Sequence, residues 1–337
     1  MKICIVGAGA IGGMLAAKFA STGHELSLIL RGANLSAVKQ NGLTLIEESG
    51  NRLTIQPAQV SPDIASVGKQ DLVILGMKAH QVAPVAAQLP ALFDSATRVI
   101  TMQNGIPWWY FQKTQSPWAG LPVHAVDPTG EALRYIDIDR VIGSVVYPAS
   151  EVIEPGVIKV IEGNRFTLGE LDGSDNDSIR SISDAFKNAG FKAPISSDIR
   201  SEIWLKLWGN LSFNPISALT HATLENICTF APTRDLAAAM MQEAQAIGQK
   251  LGVQFKVSLE KRIAGAQAVG QHKTSMLQDV EMGRPMEIQA LIASVIELGQ
   301  ITETPTPTIT AVYALVSLLD KELNAASGSL QIQSKTL

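Results

Sequence analysis

A lysine and two asparagines are spaced four residues apart in the stretch IRSEIWLKLWGNLSFNP, which covers residues 199–215. If this stretch is helical, Lys206, Asn210 and Asn214 form one narrow polar row, because residues four apart are offset by about 40° around the axis. Most surrounding residues are large and apolar, and an unpaired charge or amide in an apolar place costs several kcal/mol. A lysine can donate a proton to an oxygen that gains negative charge, and amides can hold a polar substrate. The row is therefore a candidate reaction site.

Two ordinary interpretations compete with this one. The row could be a solvent-exposed face, or Glu202 and Lys206 could form a surface ion pair at i,i+4 spacing, which contributes a few tenths of a kcal/mol. The two further amides on the row favour a lined cleft, but periodicity alone leaves the alternatives open.

A glycine-rich loop near the N-terminus points to a second chemistry. The apolar segment from Lys2 to Val6 is followed by GAGAIG, a GxGxxG pattern, and then by a predicted helix. In this pattern Gly7 makes the tight turn, Gly9 lets a pyrophosphate approach the backbone, and Gly12 lets the helix pack on the strand. The N–H groups of the helix N-terminus then face the phosphates. The motif predicts dinucleotide binding by six consecutive residues: Gly7, Ala8, Gly9, Ala10, Ile11 and Gly12.

The residue after the second predicted strand distinguishes between two cofactors. An NAD site carries Asp or Glu there to bind the ribose 2′-OH, but this chain has Leu30, Arg31 and Gly32. A guanidinium suits a 2′-phosphate. NADP is therefore predicted, with an ordinary exposed arginine as the alternative.

Polar residues also follow two strongly apolar segments, DLVILGMK at residues 71–78 and RVITMQNG at residues 98–105. Ligands bind at the carboxyl ends of strands in open α/β sheets, so Lys78, Gln81 and Asn104 are candidates, although position alone equally allows surface loops. In the C-terminal half, Glu287 could be a ligand residue or a charge at a helix end. Ser275 could be a ligand residue or an N-cap.

These candidates require two kinds of scaffold. Residues 1–195 alternate strand-like and helical segments, which is typical of an α/β Rossmann-type dinucleotide-binding domain. In residues 196–330 apolar residues recur at helical spacing, so an all-α C-terminal substrate domain is predicted. The segment GFKAPISS, residues 190–197, is interpreted as the linker. At 337 residues the chain is long enough for both domains.

The composition argues against several other functions. The net charge of −4 offers no basic surface for nucleic acid or anionic lipid. No segment reaches the ~20 apolar residues of a membrane span, and glycines interrupt the apolar N-terminal run, which disfavours a signal peptide. The two cysteines lie far apart, which predicts reduced thiols and a cytoplasmic protein. No cluster has metal-ligand spacing, so no metal is predicted.

Several features occur in one order: the glycine-rich start with Arg31 after the second strand, MKAHQV, QNG, the lysine helix and SMLQDVEMGRPMEI. Together they resemble the ketopantoate reductase (2-dehydropantoate 2-reductase) family, from residue 2 to about residue 300. The resemblance implies an NADPH-dependent reduction of a 2-keto acid to a 2-hydroxy acid, in the synthesis of pantothenate and coenzyme A.

The same resemblance implies a role for each candidate. Lys206 is expected to be the proton donor. Asn104 and Glu287 are expected to contact both cofactor and substrate. The other substrate-binding residues are expected to be Asn210, Asn214 and Ser275. The other cofactor-binding residues are expected to be Arg31, Lys78, Gln81 and, by a weaker match, Ala149. A homodimer is the expected assembly if the chain is not monomeric.

Two segments depart from the family pattern. Residues 104–140 are longer and more aromatic than usual, with Trp108, Trp109, Tyr110 and Phe111 in succession. THATLENI lacks an asparagine where the family has one after the lysine helix. The exact keto acid therefore stays open. The alternatives are a reductase of another 2-keto acid on the same scaffold, and a non-catalytic NADPH sensor.

Overall fold

In the computed structural model, which describes residues 1–332, the chain divides into two units. The first unit holds residues 1–122 and 127–202, and the second holds residues 123–126 and the chain from residue 203. Every strand of the described chain lies in the first unit. The strands are β1 Lys2–Val6, β2 Glu25–Ile29, β3 Leu43–Ile46, β4 Arg52–Ile55, β5 Gln59–Ser61, β6 Leu72–Leu75, β7 Arg98–Thr101, β8 Val141–Val146, β9 Ala149–Glu154, β10 Val157–Glu162 and β11 Phe166–Glu170.

These strands form two sheets. The larger sheet has the order β11-β8-β7-β6-β1-β2-β5, and it is parallel except for β11 at one edge. The smaller sheet has the order β4-β3-β10-β9. In the larger sheet, β1 and β6 consist almost entirely of buried apolar residues, as expected for parallel strands that are covered on both faces.

The strand order of the larger sheet reverses between β1 and β6. The chain continues outward from β1 to β2 on one side, and from β6 through β7 to β8 on the other. Val6 lies opposite both Ile29 and Leu75, so the loops after β1, β2 and β6 begin at the same level. Ligands of open α/β sheets bind at this kind of switch point.

The segment interpreted as a linker is instead part of the sheet edge. Lys192 and Ile195 form parallel bridges with Arg165 and Leu168, and Leu168 N–H donates to the carbonyl of Pro194 at 3.0 Å. Gly, Pro and Ser in this segment are typical of a loop, which is why it was interpreted as a linker. The pairing with β11 shows that this interpretation was wrong. The pairing with the outer edge of β11 depends on residues that are distant in sequence.

Twelve α-helices lie within residues 1–332. Those that lie wholly in the first unit are α1 Ala10–Ala20, α2 Gly32–Asn41, α3 Ala83–Ala86, α4 Glu131–Tyr135 and α5 Asp177–Asn188. The others are α6 Ile199–Thr220, α7 Leu224–Thr229, α8 Ala231–Lys250, α9 Leu259–Ala268, α10 Ser275–Glu281, α11 Ser294–Ile301 and α12 Pro307–Ala326. A π-helical turn, Gln289–Ala293, directly precedes α11. The predicted order of a Rossmann-type α/β domain followed by an all-α domain is confirmed.

The lysine helix α6 contains a proline in its interior. Proline disfavours a helical conformation for the residue before it, here Asn214, yet α6 continues through Pro215 to Thr220. Proline removes one hydrogen bond from the helix interior. Leu211, Ile216 and Ala218 are at most 2% exposed, so burial on both sides of the proline holds the helical path.

Candidate active site

The glycine-rich loop between β1 and α1 is shaped by two glycines that exclude a side chain. Gly7 has φ of +89°, and a Cβ there would lie 3.0 Å from Cβ of Met77. A Cβ on Gly12 would lie 2.3 Å from the carbonyl oxygen of Gly7. By contrast, a Cβ on Gly9 would meet no described atom within 4 Å. The backbone at Gly9 is therefore open to a ligand.

The N-terminus of α1 is suited to an anion. Its N-cap Gly9 contributes no side-chain cap, and the first turn contains no acidic residue. The first N–H groups of the helix and the positive end of its dipole are consequently available to phosphate. Ala10 and Ile11 form the start of this turn, ahead of the tightly packed Gly12.

A cavity of about 400 Å³ opens beside the loop, within the first unit. Five of the predicted cofactor residues line it: Gly7, Ala8, Gly9, Arg31 and Gln81. Arg31 is exposed and is the N-cap residue of α2, two residues after the end of β2. The cavity therefore combines the open glycine-rich loop with a cation after the second strand.

The other predicted residues of the first unit follow strand ends on the same side of the sheet. Lys78 and Gln81 bracket a short turn after β6, and Lys78 N–H donates to Oε1 of Gln81 at 3.1 Å. Asn104 follows β7 and is partly buried. Ala149 begins β9, shortly after the end of β8.

Sequence reasoning missed two residues that shape this part of the site. A Cβ on Gly76 would lie 2.6 Å from the carbonyl oxygen of Gly7, so β6 can approach the glycine-rich loop only without a side chain there. The Gln103 amide donates to the carbonyls of Leu75 and Met77, at 2.7 and 2.9 Å. It thereby ties the loop after β7 to the loop after β6. A glycine directly after the apolar run LVIL was the available sequence signal for Gly76.

The polar row of α6 differs from an ordinary solvated face. Trp204 and Trp208 on the other side of the helix are fully buried, and the Trp208 indole N–H donates to the carbonyl of Met241 at 2.7 Å. On the row itself, Lys206 and Asn210 are partly buried, and Asn214 is only 5% exposed. The row therefore lies on a largely covered surface.

Glu202, which could have formed a surface pair with Lys206, has other partners. Its carboxylate lies 3.8 Å from the Arg165 guanidinium and accepts a hydrogen bond from the Tyr147 hydroxyl at 3.4 Å. The carboxylate that acts electrostatically on Lys206 is that of Glu287. Burial lowers the pKa of Lys206 to about 8, and the charge of Glu287 opposes this shift.

Glu287 stands directly before the helical segment that contains the π-turn. Its carbonyl oxygen accepts from Leu291 N–H at 3.2 Å. Turns of this kind occur frequently at functional sites. Glu287 is partly buried, and both it and Lys206 belong to the second unit, where the charge of Glu287 acts on the lysine.

Ser275 is not the N-cap of its helix. Thr274 occupies that position, and its side chain accepts from Leu277 N–H at 3.2 Å. Ser275 is the first residue of α10 and is exposed. The cap interpretation of Ser275 was therefore wrong by one residue, because a threonine and a serine in succession are equally good candidates by sequence.

The described chain has no metal-binding cluster, membrane-spanning helix or disulfide. Among residues 1–332, no group of three or more His, Cys, Asp or Glu side chains could hold a metal ion. None of the helices in that range is long and apolar enough to span a membrane. Cys4 and Cys228 are both buried and form no disulfide.

Together, the parallel sheet with its phosphate loop and the following helical unit define a dinucleotide-dependent oxidoreductase. The protein-family model described as Ketopantoate reductase PanE/ApbA matches residues 3–115 of this chain. The profile described as Ketopantoate reductase PanE/ApbA C terminal matches residues 198–320. The chain belongs to this ketopantoate reductase family.

Individual relatives match this chain in sequence or in structure over nearly its whole length. A 2-dehydropantoate 2-reductase from Mesorhizobium japonicum is 52% identical, over 96% of this chain and 98% of the relative. A crystal structure from Ralstonia solanacearum MolK2, assigned as a ketopantoate reductase, has a TM-score of 0.91 at 39% identity and covers 96% of this chain and 98% of its own. A D-mandelate dehydrogenase with NADH and anilino(oxo)acetate shares the fold, with a TM-score of 0.81 at 20% identity, covering 96% of this chain and 100% of its own.

Proposed function

We propose that this protein reduces 2-dehydropantoate (ketopantoate) to pantoate with NADPH, and that Lys206 donates the proton. The reaction would serve pantothenate and coenzyme A biosynthesis. The observation that carries the proposal is a partly buried lysine with a pKa of about 8 under the influence of Glu287, in a chain that is 52% identical to a 2-dehydropantoate 2-reductase.

The residues of the first unit fit a dinucleotide. The backbone at Gly9 is open, the first turn of α1 lacks acidic side chains, and the adjacent cavity measures about 400 Å³. The glycine-rich loop would hold the pyrophosphate, and Lys78, Gln81, Asn104 and Ala149 would bind along the strand ends. When bound, the cofactor supplies the hydride. We infer that residues 1–195 serve the cofactor and residues 196–330 the substrate.

NADP is proposed as the cofactor because of Arg31. This residue follows β2 and lines the cavity, at the position where an NAD site carries a carboxylate. A guanidinium stabilises a 2′-phosphate through charge-assisted hydrogen bonds. It offers no comparable advantage to a 2′-hydroxyl.

Lys206 has the properties that a general acid needs. Reduction of a ketone places negative charge on its oxygen, which a nearby cation stabilises and then protonates. A lysine with an ordinary pKa would release its proton reluctantly, whereas a pKa of about 8 lies close to neutral pH. Asn210, Asn214 and Ser275 would orient the substrate, and Glu287 would hold Lys206 or accept a substrate hydroxyl.

The choice of keto acid is the least constrained part of the proposal, because the fold also occurs in a D-mandelate dehydrogenase. Trp108, Trp109, Tyr110 and Phe111 are each at most 3% exposed. The Trp109 indole N–H donates to the Thr101 hydroxyl at 3.0 Å. These contacts support the interpretation that the aromatic segment is anchored in the protein and leaves ketopantoate as the preferred substrate.

The proposal is tested by initial rates with NADPH and a panel of 2-keto acids, one smaller than ketopantoate and one carrying an aromatic ring. Ketopantoate is expected to have the highest kcat/KM. A higher value for another keto acid would show that the substrate assignment is wrong. If NADPH binds, as seen by fluorescence, but no keto acid is reduced, the sensor alternative holds.

Lys206→Ala provides the internal control for the mechanism. We expect turnover to fall by ~10²–10⁴-fold, the usual contribution of a positioned acid, with NADPH binding retained. A variant with near-normal turnover would remove Lys206 from the mechanism.

A homodimer and a cytoplasmic location remain predictions, which sedimentation and cell fractionation would check.

A further inference from the structure

An arginine on a neighbouring helix occupies the space next to Gly209 of the lysine helix. A Cβ built on Gly209 would lie 2.1 Å from Nη2 and 2.8 Å from Cζ of Arg262. Gly209 is buried, and Arg262, on α9, is partly buried. The guanidinium is therefore in direct contact with the backbone of α6, and any side chain at residue 209 would displace it.

This contact lies beside the polar row. Gly209 is three residues after Lys206 and directly before Asn210. Around the helix axis it is offset by about 60° from Lys206, on the side away from Asn210. Residues three apart on a helix are neighbours, with Cβ atoms about 5–6 Å apart. The Arg262 guanidinium consequently packs against the turn of α6 that carries Lys206, on the flank that Gly209 forms.

The substrate class proposed above carries two groups that need different partners. Lys206 is assigned to the keto oxygen, while the carboxylate is left to Asn210, Asn214 and Ser275, none of which is charged. A carboxylate in a partly buried place is costly unless a cation or several donors meet it. Arginine presents a planar pair of N–H donors that matches a carboxylate, and its hydrogen bonds to charged groups are strong.

We propose that Arg262 binds the substrate carboxylate and thereby fixes the keto acid with its ketone toward Lys206. This inference rests on the proposed reduction of a 2-keto acid. The two cations of the helical unit then have separate roles, since Arg262 binds and orients the substrate while Lys206 transfers the proton. Gly209 is a positioning residue in this arrangement because it leaves room for the guanidinium.

A purely structural role for Arg262 makes a different prediction. An arginine that only fills the space beside Gly209 would affect stability, and all substrates would respond alike to its removal. An arginine that binds the carboxylate would affect only substrates that carry that charge. A 2-keto acid and its methyl ester therefore separate the two roles.

The experiment compares the Michaelis constants for ketopantoate and its methyl ester in wild type, Arg262→Gln and Arg262→Lys. We expect Arg262→Gln to raise KM for the acid by about 10- to 100-fold, as for loss of a charged hydrogen bond. The ester should change by less than about 3-fold, and Arg262→Lys should recover part of the loss. NADPH binding should be unchanged. Lys261→Gln, an exposed neighbour on α9 that loses the same charge, should leave both substrates unaffected.

Gly209→Ala provides an independent variant, since it keeps Arg262 but moves its guanidinium. It should raise KM for the acid more than for the ester. Equal changes for acid and ester in Arg262→Gln, or no change in either, would overturn the inference. If Arg262→Gln does not fold, Arg262→Lys and Gly209→Ala decide by the same ratio.

Failure of the proposed function would look different, because the wild type would then reduce no 2-keto acid. If the wild type does not accept the ester, inhibition constants of pantoate and its amide give the same comparison of charged and neutral ligands.

Discussion

At the scale of single residues, the chemistry of Lys206 depends on two opposing influences. Burial lowers the pKa of this lysine to about 8, and the carboxylate of Glu287 acts in the opposite direction. In the direction of reduction the lysine must be protonated. The rate should therefore fall as the pH rises through about 8, where the proton is lost.

Glu287→Gln should move this pH dependence. The substitution removes the charge that raises the pKa of Lys206, so the fall in kcat/KM for ketopantoate should begin at a lower pH than in wild type. The measurement is a pH profile from about pH 6 to pH 10. Glu281→Gln is a matched control, since that carboxylate pairs with Lys273 at 2.8 Å. Identical midpoints in wild type and Glu287→Gln would show that Glu287 does not set the charge of the lysine.

Arg31 gives a second prediction at this scale. Arg31→Ala should raise KM for NADPH by about 10- to 100-fold, because charge-assisted bonds to the 2′-phosphate are lost. KM for NADH, which lacks that phosphate, should change by less than about 2-fold. Arg52→Ala, at an exposed arginine on β4 of the same unit, controls for the general loss of positive charge. Equal effects of Arg31→Ala on both cofactors would contradict the NADP assignment.

At the scale of elements, the segment between α10 and the π-turn determines where Glu287 lies. Asp279 pairs with Arg284, with 2.9 Å between Oδ1 and Nε. Asp320 on α12 accepts from the N–H of Met286, the residue before Glu287, at 3.0 Å. Asn324 in turn donates to the second oxygen of Asp320 at 2.9 Å. The C-terminal helix thereby holds the backbone next to Glu287.

Asp320→Ala should therefore lower kcat/KM for ketopantoate by about 3- to 10-fold, the value of one hydrogen bond. It should also shift the midpoint of the pH profile in the same direction as Glu287→Gln. Asp320→Asn should restore most of the activity, because its amide oxygen can still accept from Met286. Glu322→Ala, at an exposed position of α12, should have no effect. A loss of thermal stability without a change in the pH midpoint would assign Asp320 a structural role only.

The elements also show which parts of the site a sequence can reveal. GAGAIG and the buried run LVIL are local patterns, and they predicted the strand–loop–helix turn after β1 and a central strand near their observed places. The periodicity of α6 predicted the polar row. The contact between Gly209 and Arg262, by contrast, joins two residues that are more than 50 positions apart in the chain. No local pattern encodes such a contact, and the same holds for the pairing of residues 192–195 with β11.

At the scale of the whole molecule, the chain crosses between its two units three times. The chain passes from the first unit into the second at residue 123 and returns to the first at residue 127. The predicted division at residue 195 was based on a change of sequence pattern, which four residues are too few to display. Their place depends on Glu297 of α11, whose carboxylate accepts from His124 N–H at 2.8 Å and from Ala125 N–H at 2.7 Å.

Glu297→Gln should weaken this attachment while preserving the shape of the side chain. An amide can accept only through its oxygen, and its NH2 group faces a second donor, so one charge-assisted hydrogen bond is lost and the other becomes neutral. We expect Tm to fall by about 2–5 °C relative to wild type. Hydrogen exchange should accelerate in peptides that contain His124 and Ala125.

The increase in Tm on adding NADPH should persist, because Glu297 and residues 123–126 all belong to the second unit, and the proposed cofactor residues of the glycine-rich loop belong to the first. Glu322→Gln, an exposed carboxylate on α12, should change neither Tm nor exchange. If hydrogen exchange at His124 and Ala125 is the same in Glu297→Gln as in Glu322→Gln, the backbone of residues 123–126 is held by contacts other than the Glu297 carboxylate.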